Sequence, residues 1–197
     1  MSALFAFPPM TVFDILCPPR EAFERCMGFW ATVGIRSETP GMGDQFAMHG
    51  WTGTEIAIGH RRGSGPDADL GDLGAIAPGL GIALLAVHLT EPMRKPIDWT
   101  RLIVAARPVP GSHPRSELWC FPWDDTIRGP RLTKAPLDRA FDKLAQTLTR
   151  QGVLLGPPHL VKKKELPGDS PLSDADIATM HRAARKATGT SPLHFRR

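Results

Sequence analysis

Tyrosine is missing altogether from this sequence, and its aromatic content rests on five tryptophans and nine phenylalanines. Cysteine is scarce. Cys17, Cys26 and Cys120 form no CxxC pair and show no zinc-ligand spacing, which excludes a cysteine-built zinc module. An odd count without a secretory signal fits a reducing compartment. Cys26 on a helix face and Cys120 inside a strand are expected to be small buried hydrophobes. Long apolar runs are also missing: the longest, 79–89, falls far short of the roughly 20 residues that a bilayer span needs. The first nine residues carry no basic n-region, and their apolar run is too short for a signal peptide. A cytoplasmic protein without a membrane span is therefore expected.

Recognisable catalytic motifs are absent as well. There is no Gly-x-Ser-x-Gly, Walker A loop, His-Glu-x-x-His or dinucleotide fingerprint, so the sequence leaves open whether this is an enzyme.

What is present is ordinary globular material: 42% apolar and 22% charged residues, with 20 prolines and 19 glycines marking many turns. The 197 residues suffice for one good-sized domain, or a domain with a tail. The net charge of +4 conceals an asymmetry, because residues 1–125 balance at −4 and residues 126–197 at +8. A basic C-terminal third suits an acidic partner, although a solubilising surface explains the same charges.

Strands are expected at 11–17, rich in β-branched and aromatic residues, and at 54–58, 101–106 and 116–121. Further short strands are expected at 45–48 and 153–155, and the apolar run 81–89 reads as a buried strand or a short core helix. Phe23, Cys26, Met27, Trp30 and Val33 recur at helical spacing, so a helix is expected over 20–32, stopped by Gly34. A second helix over 136–150 starts on a proline and buries Leu137, Phe141, Leu144 and Leu148. The fold class is therefore α/β (or α+β), a mixed sheet with at least two packed helices. Gly156-Pro157-Pro158 divides a core domain, 1–156, from a basic C-terminal appendage, 157–197, with one helix over about 173–188 capped by Ser173. Ile177, Met180 and Ala184 give that helix a narrow apolar stripe.

Three stretches carry candidate chemistry. Gly59-His60-Arg61-Arg62 follows a strand and is flanked by glycine; backbone N–H groups and guanidinium forks in such a loop can grip phosphate. An exposed loop with salt bridges is the competing reading. Asp124 and Asp125 follow an aromatic strand end, where adjacent carboxylates can hold Mg²⁺ or simply satisfy turn N–H groups. Lys162, Lys163 and Lys164, with Arg182, Arg185, Lys186, Arg196 and Arg197, can contact several phosphates and give salt-sensitive binding to DNA or RNA. Cations late in a helix also complement its dipole. The long spacer between the last two helices rules out a helix-turn-helix, so backbone contact is favoured over groove readout.

Placed after an apolar strand, Gly59-His60-Arg61-Arg62 resembles the Gly-Glu-Arg-Arg box of ParB proteins and the Gly-Cys-His-Arg box of sulfiredoxins. The resemblance covers about ten residues. It implies the α/β fold those proteins share with some plasmid fertility-inhibition proteins, and phosphate contacts from Gly59, Arg61 and Arg62. The box holds no cysteine, which excludes reduction of the sulfiredoxin type.

The sequence therefore points to a nucleic-acid- or nucleotide-binding accessory protein, with room for Mg²⁺-dependent phosphodiester chemistry. The alternative is a non-catalytic subunit that docks an acidic protein through its basic C-terminal helix. Its oligomeric state is not legible.

Overall fold

A computed structural model of the chain describes residues 9–59, 100–123 and 134–189. Within them the chain runs β1 (Met10–Ile15), α1 (Pro19–Val33), β2 (Ile35–Glu38), α2 (Met42–Met48), β3 (Thr52–Ile58), β4 (Thr100–Val109) and β5 (Arg115–Pro122). It continues with α3 (Lys134–Arg150), β6 (His159–Val161), a 3₁₀ turn at Lys163–Glu165 and α4 (Asp174–Ala187). The strands form one sheet in the order β2-β3-β4-β5-β1-β6, and every pairing among the described residues is antiparallel.

Period-two alternation sends the strand side chains to two separate cores. Phe13, Ile15, Ile56, Ile58, Leu102, Val104, Leu118 and Cys120 meet α1 and α3 on one face. Met10, Val12, Ile103, Ala105, Trp119 and Phe121 meet α2 and α4 on the other. Among the described residues this makes an α/β sandwich with two helices on each side of the sheet. α1 begins on Pro19, whose missing N–H costs nothing there. It ends at Gly34, whose φ of 105° is open to glycine and whose N–H donates to Trp30 O.

Two expectations are corrected. Residues 45–48 are not a strand but the end of α2. Met48 is 69% exposed, and the buried pair is Met42 and Phe46, one helical turn apart. Residues 153–155 run beside the end of β1 but make only an isolated bridge, Ile15 to Leu154. The run 81–89 lies outside the described residues.

The hydrophobic core crosses the break expected at Gly156-Pro157-Pro158. β6 pairs with β1, and Leu172, Ile177, Met180 and Ala184 are buried against the sheet with Met10, Ile103 and Phe121. α4 matches the expected span, and Ser173 Oγ accepts a hydrogen bond from Asp176 N. Its stripe is an ordinary core contact. Among the described residues no helix is long and apolar enough to cross a membrane.

Candidate functional site

The strand registers gather several sequence features at one end of the sheet. Ile35 pairs with Ile58, Ile58 with Thr100, Leu102 with Pro122, Thr11 with Cys120 and Met10 with Val161. Hence β3, β5 and β6 finish where β1, β2 and β4 begin. Arg36, Gly59, Arg101, Trp123 and Lys162 therefore share that end, across a row of six strands that is roughly 24 Å wide at the usual strand spacing. Gly59 turns the chain out of β3 with a φ of 88°, and its carbonyl accepts a hydrogen bond from Arg36 Nε at 3.1 Å. Trp123 N donates to Arg101 O at 3.0 Å, so β4 and β5 stay paired to the rim.

Beneath this rim lies a buried ionic cluster. Glu55, on β3, is only 2% exposed although it carries a carboxylate. Its Oε1 accepts a hydrogen bond from Thr39 Oγ1 at 3.0 Å and lies 3.5 Å from Arg101 Nε on β4. Its Oε2 lies 3.5 Å from Nε2 of His181 on α4. The His181 ring leans on Trp123, with centroids 5.5 Å apart. Burying a carboxylate costs several kcal/mol, on the order of what well-placed cationic partners and hydrogen bonds restore. Thr39, just after β2, Arg101 on β4 and His181 on α4 supply these partners. The Arg101 side chain is 24% exposed, so its guanidinium group reaches both the carboxylate and solvent. Chemically, the cluster holds a guanidinium at a fixed height at the strand end, where it can meet an anion.

Across the same sheet face lies a second, half-buried group. Arg107 pairs with Glu117 at 2.8 Å and lies over the rings of Trp51 and Trp119, at 5.5 and 6.0 Å. Trp119 Nε1 also donates to Glu117. These residues close the far end of the layer. An open groove of about 1000 Å³ runs between α3 and residues 154–158, lined by Lys143, Gln146, Arg150, Leu155 and Pro157, and contains none of the clustered residues.

Of the sequence-derived candidates, Gly59 sits at the rim described above. His60, Arg61, Arg62, Asp124, Asp125, Arg196 and Arg197 lie outside the described residues. Lys163 is ion-paired with Asp174 in the first turn of α4. Lys162 and Lys164 are exposed, and the Lys162 N–H is taken by Glu165. Arg182 folds back onto its own helix, bonding Ala178 O and Thr179 Oγ1. Lys163 meets the start of α4 while Arg185 and Lys186 occupy its last turn, roughly 17 Å further along the helix at its usual rise. The lysine run and these cations are thus held apart, at the two ends of one helix. Among the described residues no group of three or more metal-ligating side chains converges.

Sequence reasoning assigned no role to Glu55, Arg101, Thr39 or His181. One signal was available: a carboxylate inside the apolar strand 54–58 demands a partner. His181 directly precedes the exposed Arg182 in sequence, yet it is only 5% exposed. No family model matches this sequence, and no curated protein matches it.

Proposed function

We propose that this protein binds a phosphate-bearing ligand, nucleotide or nucleic acid, at the end of the sheet that carries Gly59 and Arg101. The observation that supports the reading is the common location of Arg36, Gly59, Arg101 and Lys162 at one sheet end. In sequence, His60, Arg61 and Arg62 follow Gly59, Asp124 and Asp125 follow Trp123, and Lys163 and Lys164 follow Lys162. The likeness of Gly59-His60-Arg61-Arg62 to the ParB and sulfiredoxin boxes, as in plasmid fertility-inhibition proteins, supports the same reading. Arg61 and Arg62 grip phosphate; Asp124 and Asp125 hold Mg²⁺ if the ligand is processed. Three free thiols suit a reducing cytoplasm.

The test is binding of labelled single- and double-stranded oligonucleotides, and of a labelled nucleotide, over a salt series. Replacing Arg61 and Arg62 by Ala is expected to weaken binding and to flatten the single-strand salt slope by about 1.4, two phosphate contacts at about 0.7 each. Unchanged affinity and slope in a folded double variant overturn the reading. An acidic protein partner is the second reading, favoured by the exposed cations Arg182 and Lys186 on α4. It predicts that Arg182→Glu with Lys186→Glu abolishes assembly while the oligonucleotide series stays flat.

A further inference from the structure

Two of the three cysteines meet inside the core between α1 and the sheet. Cys26 Sγ on α1 and Cys120 Sγ on β5 lie 3.7 Å apart, and both residues are fully buried. They are free thiols, separated by 94 positions in sequence. A second observation points to the same spot. Trp30, one turn after Cys26 on α1, is fully buried, and its indole N–H has no hydrogen-bond acceptor. A buried N–H without a partner is costly, and a sulfur that becomes negative beside it is the group it can serve.

We propose that Cys26 and Cys120 are an oxidation site, a dithiol that peroxide closes to an intramolecular disulfide pinning α1 to β5. Either sulfur can react first and give the same disulfide. One sulfur of the pair, as thiolate, attacks hydrogen peroxide; the O–O bond breaks, a sulfenic acid forms and hydroxide leaves. The other sulfur, having lost its proton, attacks the sulfenic sulfur; the S–O bond breaks, the S–S bond forms, and the departing oxygen takes up protons as water. Overall, two thiols and one peroxide give one disulfide and two waters.

The sulfurs must approach from 3.7 Å to the covalent distance of about 2.05 Å, a movement of α1 of one to two ångströms at most. Burial raises the Cys120 thiol well above its ordinary range, and the nearby Cys26 adds to this. Thiolate is therefore scarce at neutral pH, and the pair reacts slowly, during local opening of α1. This favours a response to sustained oxidant over rapid sensing. It also keeps the pair reduced in an ordinary reducing compartment.

The experiment exposes the full chain to hydrogen peroxide under native conditions, then unfolds it, alkylates the free thiols and maps the peptides by mass. Expected is loss of two thiols, a chain lighter by about 2 Da, and the Cys26 peptide linked to the Cys120 peptide with Cys17 still alkylated. The rate is expected to rise about tenfold per pH unit below the thiol pKa. The same link is expected in Cys17→Ser, and the linked chain is expected to unfold at higher denaturant than the reduced one. Three results overturn the proposal: a link to Cys17, sulfinic or sulfonic acid on a single cysteine without a link, or three alkylatable thiols after a treatment that oxidises the urea-unfolded chain.

Discussion

Glu55 shows most directly how one residue ties the layers together. Its carboxylate accepts from Thr39 beyond β2 and lies within 3.5 Å of Arg101 on β4 and of His181 on α4. Replacing it by Ala leaves a guanidinium and a buried imidazole facing a void where their counter-charge stood. Breaking a buried ion pair from one side typically costs 3–5 kcal/mol. Because Arg101 retains contact with water, the lower end applies, and Glu55→Ala is expected to lose about 3 kcal/mol of stability. Glu55→Gln keeps an acceptor for Thr39 and is expected to lose less. Denaturant unfolding of both variants checks this, and equal losses would show that the charge has no part in it. The ligand reading adds that both variants weaken oligonucleotide binding, since Arg101 then loses the group that positions it.

At the scale of elements, α2 is the piece whose packing depends on a missing side chain elsewhere. Phe46 lies against β3 because Gly53 has no Cβ: a methyl there would stand 2.9 Å from Phe46 Cγ and 3.0 Å from Ala105 Cβ. Gly53→Ala is therefore expected to cost 1–3 kcal/mol through overpacking. Shrinking the ring in Gly53→Ala with Phe46→Leu is expected to return part of that loss, and a denaturation double-mutant cycle measures the coupling. Additive losses would mean the two sites do not touch. The same element shows where sequence reading stops. α1 and α3 were legible because each carries a full apolar stripe over about three turns, and α4 because a narrower stripe follows a serine cap, with proline or glycine marking the other ends. α2 has only seven residues, so a period of two and a period of 3.6 fit it almost equally well. β6 is three residues long with two exposed side chains, so it is a strand through its pairing with β1 and not through any local pattern. The Glu55 cluster was illegible for a related reason: its members are 39, 55, 101 and 181, and only the strand registers and the α4 packing bring them together.

For the molecule as a whole, the C-terminal segment is the decisive test of how the chain is divided. Composition sets residues 157–197 apart: they follow a double proline and are strongly basic. The core does not respect that break. Leu172, Ile177, Met180 and Ala184 cover Met10, Val12, Ile103, Phe121 and Trp123 on one face of the sheet, and β6 shields one edge of β1. Removing residues 158–197 uncovers that apolar face, bares β1 as a sheet edge and removes His181 from Glu55. Leu172, Ile177 and Met180 each take with them about 1.5–3 kcal/mol of burial, and three such losses match much of the 5–15 kcal/mol that holds a typical domain folded. The chain 1–157 is therefore expected to be unfolded or aggregated, with no cooperative thermal transition by circular dichroism. A compact monomer with a sharp transition would show instead that the first 157 residues form an independent domain. The distinction governs how the basic charges are tested. A truncation that abolishes ligand binding reports only collapse of the second core. Charge reversal at Arg182 and Lys186, or neutralisation of Lys162 and Lys164, leaves the packed side chains in place and reports on the surface itself.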